Sequence, residues 1–265
     1  TSRRFFESPN VRRPTRCLPR TPLLLGCDQM NITIICPHFA PDVAPTGDVM
    51  TRLVQEFDRF GHHIHVVTTL PWYRRHSVEL EWRGRFVKRE KTAWGRITRI
   101  HPFASANRTN LLSRAAAFGA FSLMAMLASV FTRRSDLILV MSPPLTLAPA
   151  GWIAAKRHRA ALVLNIQDIH PDAAVATGTL TDSWLINILR RLELFSYARS
   201  DAVVVLSDDL RKRLVSRVDD EEKLRVIPNF VDTQSLYPTA RNNSYRRELG
   251  LTDETVVMYA GNVGF

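Results

Sequence analysis

Short apolar runs rich in β-branched residues recur along the chain, and segments with helix-like spacing of apolar residues separate them. Runs of this length, bounded by proline, glycine and polar residues, are typical of buried strands. The runs are Asn31–Cys36, Ile64–Thr69, Gly95–His101, Leu137–Met141, Ala161–Ile166, Ala202–Leu206, Leu224–Ile227 and Thr255–Ala260. Because strands alternate with helices, the pattern predicts an α/β fold, a Rossmann-like parallel sheet with helices on both faces.

The first predicted helix, Asp48–Phe60, carries its apolar residues at helical intervals. Thr46 or Asp48 can cap its start, and Gly61 can end it. The same periodicity predicts three further helices, at Leu145–Lys156, Trp184–Ala198 and Asp208–Ser216.

The most apolar stretch is Leu111–Phe131. Its length suits a membrane span, since roughly 20 apolar residues cross a bilayer. However, Arg114 lies in its first turn, and seven of the residues from Ala115 to Ser129 are alanine or glycine, so its hydrophobicity is modest. We therefore expect a helix packed on the domain and not a transmembrane segment.

Three regions differ in composition. Residues 1–29 lack any periodic apolar pattern and are interpreted as a disordered basic lead-in outside the fold. Residues 30–238 hold the α/β domain, and Pro228–Pro238 interrupts its pattern. Residues 239–265 are interpreted as a linker and the first strand of a second domain, Thr255–Ala260. Because a lone strand cannot cover its faces, we expect the rest of that domain to be missing or supplied by another chain.

The net charge of the 265 residues is +11. Residues 1–29 contribute +4 of this charge, from six arginines against Glu7 and Asp28. A basic surface attracts nucleic acid, anionic lipid or phosphorylated substrates. No helix-turn-helix, RNA-binding or zinc motif supports nucleic acid. The three cysteines have no metal-ligand spacing, so neither a disulfide framework nor a metal site is expected.

Ligands of open α/β sheets bind at the carboxyl ends of the strands, and three predicted loops lie there. In the first, Pro37–Asp48, Gly47 precedes a helix whose N-terminus favours a phosphate. A plain turn between strand and helix explains the same glycine, because no dinucleotide fingerprint is present.

The other two loops are Ser142–Leu145 and Gln167–Asp172. Two prolines make the former a rigid turn, which is either a wall of a substrate cleft or only a stiff connection. The latter places Asp168, His170 and Asp172 within six residues. These groups can accept or relay a proton near neutral pH, although an aspartate could equally cap the next helix.

Six segments follow one another along the chain: NITIICPHFAPDVAPTGDVMTRLVQEF, DLILVMSPPL, LNIQDIHPDAAVATGTL, VVVLSDDLRKRL, EEKLRVIPNFVDTQSLYP and VVMYAGNVG. In this order they resemble a known family, the retaining glycosyltransferases of family 4, which have the two-Rossmann-domain GT-B architecture. More narrowly, the chain looks like the branch that builds bacterial surface polysaccharides, including the colanic-acid and fucosamine transferases.

The resemblance implies that an N-terminal domain holds the acceptor and a C-terminal domain holds most of the donor. Sugar transfer with retention then occurs in the cleft between them. It implies catalytic roles for Asp168 and His170. The donor-phosphate residues that it implies are Thr46, Gly47, Gly261 and Asn262. The acceptor-cleft residues that it implies are His38, Ser142, Pro143 and Asp172.

The resemblance also implies the partners. These are a nucleotide-sugar donor and a lipid-linked or polysaccharide acceptor, with neither a cofactor nor a metal ion. A cytoplasmic location is expected, with peripheral attachment to the inner face of the plasma membrane left open. Because the donor domain is expected to be missing after Phe265, the chain is expected to be inactive alone, unless a second chain supplies that domain.

The chain departs from the family pattern in two loops. It has Thr46-Gly47-Asp48 where the family often carries paired glycines. It has His170 and Asp172 where the family often carries an aromatic residue and a glutamate. The alternative interpretation is therefore a non-catalytic binding or scaffold protein derived from such a transferase.

Overall fold

The computed structural model describes residues 29–103, 111–178, 180–181 and 183–259. Its strands are β1 Asn31–Ile35, β2 His63–Thr69, β3 Val87–Thr92, β4 Gly95–Ile100, β5 Leu137–Ser142, β6 Ala161–Ile166, β7 Ala202–Val205 and β8 Leu224–Val226. They form one sheet in the order β3-β4-β2-β1-β5-β6-β7-β8. Every neighbouring pair is parallel except β3 and β4, which are antiparallel at one edge.

The helices are α1 Pro45–Arg59, α2 Leu111–Val130, α3 Leu147–His158, α4 Asp172–Ala176, α5 Ser183–Arg199, α6 Asp208–Leu214 and α7 Ser244–Glu248. Together with the sheet they confirm the predicted Rossmann-like α/β class. Strand β3 was not predicted, because its sequence VKREKT offers no apolar alternation. Its position at the sheet edge explains this composition, since charged side chains protect exposed edges.

Alternate residues of the strands build two cores, one on each face of the sheet. Ile34 and Val66 face the α1 side, where Met50 and Val54 pack on them. Ile35, Val67 and Ile138 face the α2 and α3 side and meet Phe121 and Ala125 of α2. The apolar runs of the central strands are continuous because both of their faces are covered.

The start of α1 differs from the prediction. Ala44 occupies the N-cap position, and no side chain caps the helix, so neither Thr46 nor Asp48 has that role. Pro45 begins the helix because its fixed φ suits the first helical position, where no N–H bond is needed. The predicted end is confirmed, since Gly61 follows the helix with a φ of +83°.

The apolar stretch at 111–131 is a helix packed on the domain, as predicted. Phe121 and Ala125 of α2 are 2% and 0% exposed within the core. Among the described residues, no helix combines the length and the apolar character that crossing a membrane requires.

The predicted strand at Thr255–Ala260 is wrong over residues 255–259, which form no strand. Val257 is 94% exposed. A strand needs a hydrogen-bonded neighbour, and no described strand lies beside this segment. Residue 260 and the predicted lead-in up to residue 28 lie outside the described residues, whereas Gln29 donates a hydrogen bond of 2.8 Å to the carbonyl of Gly61.

Candidate functional site

The loops at the carboxyl ends of the parallel strands lie along one edge of the sheet and form the candidate site. The loops after β2, β1, β5 and β6 follow one another along this edge. Adjacent strands are spaced about 4.8 Å apart, so the loops after β1 and β6 lie about 10 Å from each other. This is the edge at which open α/β sheets bind ligands.

His38 and Asp42 form a close pair in the loop after β1. His38 Nδ1 lies 2.7 Å from Asp42 Oδ2. The Asp42 side chain is fully buried, whereas the His38 side chain keeps 12% exposure. A carboxylate at Nδ1 favours the tautomer with its proton there, which leaves Nε2 as the accepting nitrogen. The pair is therefore arranged to orient a hydroxyl group and to take a proton from it.

The loop after β2 fixes the orientation of this pair. Asp42 Oδ1 accepts hydrogen bonds from the backbone N–H groups of Trp72 and Tyr73, at 3.2 and 3.0 Å. The His38 ring stacks on Trp72 with 5.7 Å between centroids and meets the edge of Tyr73 at 5.1 Å. Both carboxylate oxygens of Asp42 thus have partners, and the imidazole is held on two sides.

A buried arginine of β4 supports the same loop from below. Arg99 is 1% exposed, and its Nη2 donates to the Ala40 carbonyl at 2.5 Å. Its Nε donates to Glu90 Oε1 at 3.1 Å, which balances the buried charge.

Nearby, burial raises the pKa of the Cys36 thiol to about 12, so this cysteine stays protonated and cannot serve as a nucleophile.

The N-terminus of α1 follows directly after the loop of His38. The N–H groups of Thr46 and Gly47 precede the first intrahelical bonds, and no side chain caps them. This end of a helix carries partial positive charge and favours an anion. Gly47 also has a packing role, because a Cβ there would lie 3.2 Å from His38 Cβ and 3.3 Å from the Phe39 nitrogen.

An open groove lies beside these groups. Its volume is about 570 Å³, and its lining includes Asp42, Pro45, Gly47, Thr51 and Tyr73. The groove thus joins the uncapped start of α1 to the loop after β2.

The turn after β5 lies between the two polar loops. Ser142 is 1% exposed, and its carbonyl accepts a hydrogen bond of 2.9 Å from the N–H of Gln167. Pro143 is half-buried. The turn therefore joins the end of β5 to the loop after β6.

Asp168 and His170 have more freedom than His38. Asp168 is exposed and has no hydrogen bond or ion pair with the part of the chain that the structure describes. His170 is half-buried, and its Nδ1 is buried without a hydrogen-bond partner among the described residues. The exposed carboxylate of Asp168 is accordingly available to a ligand, whereas His170 Nδ1 keeps a hydrogen-bonding capacity that the described residues leave unused.

A pair of amides links the loop after β6 to the segment after β8. Asn229 Nδ2 donates to Gln167 Oε1 at 2.9 Å. Gln167 Nε2 donates in turn to Asn165 Oδ1 at 2.6 Å. Gln167 is 7% exposed, so these bonds satisfy a buried amide and hold residues 227–233, the IPNFVDT segment, against the sheet.

Asp172 belongs to a charged network with Arg217 and Arg190. Its Oδ2 accepts a hydrogen bond from Arg217 Nη2. Arg217 Nη1 also donates to Glu193 Oε1 at 3.0 Å, and the Tyr197 hydroxyl donates to the same oxygen at 3.0 Å. Burial raises the pKa of Glu193, and the Arg217 charge opposes this effect. The geometry thus assigns Asp172 a part in joining α4 to α5.

Comparison with known proteins decides the family. The model of the Glycosyl transferase 4-like domain matches residues 46–229, which is most of the chain. The chain belongs to this family.

Two curated relatives are similar to this glycosyl transferase 4-like chain. WcaI of Escherichia coli (strain K12), named as a colanic acid biosynthesis glycosyl transferase, is 24% identical over 89% of this chain and 59% of its own length. WbjE of Pseudomonas aeruginosa, named as a glycosyltransferase, is 30% identical over 61% of this chain and 41% of its own length. The chain thus spans about half the length of these relatives.

A solved structure shares the fold of this glycosyl transferase 4-like chain. Sucrose-phosphate synthase from Thermosynechococcus elongatus matches with a TM-score of 0.59 and 17% identity. The match covers 84% of this chain and 53% of that one.

The fold brings several predicted site residues of this glycosyl transferase 4-like chain together and separates others. Gly47 lines the groove at the start of α1 together with Asp42. His38 pairs with Asp42, and Thr46 lies in the first turn of α1. The turn with Ser142 and Pro143, and then Asp168 and His170, follow along the same edge. Asp172 is engaged by Arg217. Gly261 and Asn262 lie outside the described residues.

Sequence reasoning missed the residues that hold these groups in place. Asp42, Trp72 and Tyr73 orient His38, and Arg99 and Asn229 anchor the loops. An aspartate four residues after a histidine in a proline-flanked loop was the signal available for Asp42. Within the described ranges, no three His, Cys, Asp or Glu side chains come close enough to hold a metal ion.

Proposed function

We propose that the chain forms the acceptor side of a glycosyltransferase. This enzyme transfers a sugar from a nucleotide-sugar to a lipid-linked or polysaccharide acceptor with retention of configuration. The observation that carries the proposal is the His38–Asp42 pair, held at 2.7 Å beside an open groove at the ligand-binding edge of the sheet. Membership of the glycosyl transferase 4-like family supports the reaction type.

The proposed reaction needs a hydroxyl group held in a fixed orientation. The acceptor oxygen bonds to the anomeric carbon, the bond from that carbon to the diphosphate breaks, and the hydroxyl proton leaves. With retention, the diphosphate departs from the face that the hydroxyl enters and carries away the electron pair of the bond that breaks. His38 Nε2 accepts the hydrogen bond of the hydroxyl, orients it, and takes its proton as the new bond forms.

The uncapped start of α1 supports a role next to the donor phosphates. Thr46 and Gly47 offer N–H groups at the positive end of a helix dipole, and Arg52 lies one turn further along α1. Arg52 pairs with Asp48 at 3.0 Å and with Asp232 of the IPNFVDT segment at 3.4 Å. Developing negative charge on the leaving diphosphate needs such donors.

A lipid-linked acceptor is supported by the surface of α2. Leu123, Leu127 and the adjoining Phe131 recur every four residues, and they are 55%, 39% and 82% exposed. Residues at this spacing share one face of a helix. An apolar stripe beside basic residues suits attachment to an anionic membrane surface.

The test replaces His38 and Asp42, one at a time, in the full-length enzyme. We expect His38→Ala and Asp42→Asn each to lower kcat/KM about 10²-fold or more, because positioned proton-transfer groups contribute factors of this size. We would measure kcat/KM from the release of nucleoside diphosphate. The donors are a panel of nucleotide-sugars, and the acceptor is a membrane lipid extract. His63→Ala is the matched control, because this exposed histidine lies at the other edge of the sheet.

Two results would contradict the proposal. Near-normal turnover in both variants with unchanged melting temperatures would remove the pair from the site. An absence of turnover in the wild-type enzyme, with the glycan acceptor still bound, would favour the scaffold interpretation.

A further inference from the structure

A second cavity lies at the opposite edge of the sheet, remote from the groove described above. It has a volume of about 370 Å³. The amino ends of β1, β2 and β4 enclose it, together with the end of the antiparallel strand β3 and residues 132–135 after α2. Because parallel strands present their amino and carboxyl ends to opposite edges, this cavity is separate from the proposed transfer site.

The charged side chains that line this cavity are all basic, and Asp136 lies beside the lining residues Asn31 and Arg134. Lys91, Arg96, Arg133 and Arg134 line it, and its lining contains no aspartate or glutamate. Within the described part of the chain, neither Lys91, Arg96 nor Arg133 forms an ion pair with a carboxylate. By contrast, the buried Arg99 on the same strand is neutralised by Glu90 at 3.1 Å.

The sheet register forces two of these cations together. Arg96 is directly opposite Lys91 on β3, and its other neighbour in the row is His65 on β2. Like charges at directly opposite positions of an antiparallel pair destabilise the sheet. Burial lowers the pKa of Arg96, and the charges of Arg133 and Arg89 add to this effect. The cluster therefore carries repulsion that a bound anion would relieve.

The cavity also offers uncharged polar groups. Thr92 Oγ1 is buried and has no hydrogen-bond partner among the described residues, so it can donate to a ligand. His65 uses both ring nitrogens, towards Thr98 Oγ1 at 2.9 Å and Thr132 Oγ1 at 3.0 Å. Its imidazole is thus fixed in orientation, and it lies directly opposite Arg96 in the sheet.

We propose that this cavity binds a phosphate group between Arg96, Lys91 and Arg133, with Thr92 as a hydroxyl donor. Arginine forks match phosphate oxygens, and a half-buried guanidinium without a carboxylate partner is well placed to form such bonds. The phosphate belongs either to a soluble anion or to a lipid headgroup.

Two binding measurements on the full chain test the proposal. The soluble probe is inorganic pyrophosphate, followed by calorimetry and by the shift of melting temperature at ionic strength matched with sodium chloride. The membrane probe is sedimentation with vesicles of phosphatidylglycerol in phosphatidylcholine, compared with phosphatidylcholine alone. Each probe is applied to the wild type, Arg96→Gln, Lys91→Gln and the control Arg85→Gln, an exposed arginine outside the cavity.

We expect Arg96→Gln to weaken binding about tenfold or more, the effect of losing a hydrogen bond between charged groups. The same variant should melt no lower than the wild type without ligand, because it removes repulsion. Loss of pyrophosphate binding identifies a soluble anion as the source, whereas a loss confined to anionic vesicles identifies a lipid headgroup. The proposal is overturned if Arg96→Gln binds both pyrophosphate and anionic vesicles as well as the wild type does. It is also overturned if Arg85→Gln loses as much binding as Arg96→Gln.

Discussion

His65 shows at the scale of a single residue how burial decides whether a side chain carries charge. The imidazole is 7% exposed and lies next to arginines, not carboxylates. Burial lowers its pKa to about 3, and the charges of Arg96 and Arg89 act in the same direction. His38, by contrast, faces the carboxylate of Asp42. His65 is therefore suited to a structural role, whereas the proposed contact with the acceptor hydroxyl falls to His38.

The lowered pKa of His65 predicts an acid-sensitive component of stability. Below its ordinary pKa of 6.5 the unfolded histidine gains a proton, whereas the folded one stays neutral down to about 3. The stabilisation is therefore present above 6.5 and is lost as the pH falls towards 3. Between pH 7 and pH 5 this loss amounts to about 2 kcal/mol. Urea unfolding at both pH values measures it.

The matched variants for this prediction are His65→Gln and His63→Gln. The former should lose the acid-sensitive component, and the latter should keep it, because His63 is exposed. An identical change of unfolding free energy with pH in His65→Gln and the wild type would contradict the assignment.

Asp168 and His170 give the second prediction at this scale. Both lie at the carboxyl edge without partners that would occupy their functional atoms. We expect Asp168→Asn and His170→Ala to reduce the turnover of the full-length enzyme. Asp172→Asn should reduce turnover less than either of them. Asp168 should give the larger effect, up to about 10²-fold, as expected for a group that orients or accepts a proton.

Stability controls separate this outcome from misfolding. Asp172→Asn should lower the melting temperature, because Arg217 would lose a charged partner. Near-normal turnover in both Asp168→Asn and His170→Ala would exclude this loop from the reaction.

At the scale of an element, α2 combines two unlike faces. One face enters the core through Phe121 and Ala125, and the other leaves Leu123 and Leu127 partly exposed. The helix contacts both α3 and the sheet, so its apolar composition is explained on one side by packing. The other side is the apolar stripe on which the proposal of membrane attachment rests.

Packing of α2 predicts the cost of truncating its core residues. We expect Phe121→Ala to lower the free energy of unfolding by about 3–5 kcal/mol, through lost burial and the cavity left behind. Phe131→Ala is the control, because that ring is 82% exposed, and it should change stability by less than about 0.5 kcal/mol. Denaturant unfolding of both variants measures the difference, and equal effects would contradict the packing.

At the scale of the whole molecule, the sheet separates two chemically different edges. The carboxyl edge carries the His38–Asp42 pair and the loop of Asp168, and the amino edge carries the cluster around Arg96. The chain spans 59% and 41% of the two curated relatives. The described residues thus provide one wall of the proposed transfer site.

This arrangement predicts that residues 1–265 on their own do not transfer sugar. Transfer needs acceptor, donor and leaving-group stabilisation in one closed cleft. Losing one preorganised electrostatic partner typically costs on the order of 10²–10³ in rate, and a single wall leaves several unsupplied. Nucleoside diphosphate release by the purified chain should match a no-enzyme control. Turnover well above that control would show that these residues hold a complete site.

The sequence alone was enough to predict most of the fold. Seven of the eight strands and the main helices follow from apolar runs and helical spacing, because burial on both faces of a sheet imposes these patterns locally. Strand β3 could not be predicted in this way, since pairing with β4 and not apolar content defines it. The strand prediction at 255–259 was wrong for the converse reason. These residues are apolar, but no described strand lies beside them to pair with.

The sequence by itself determined which residue types end the strands, and therefore that His38, Ser142, Asp168 and His170 lie at one edge. Only the tertiary structure decided their partners. The meeting of Asp42 with Trp72 and Tyr73, and of Lys91 with Arg96, depends on strand order and register. These contacts join residues that are distant along the chain or that meet only through pairing. Periodicity along the chain reports which face a residue occupies, but it carries no information about which strand lies beside it.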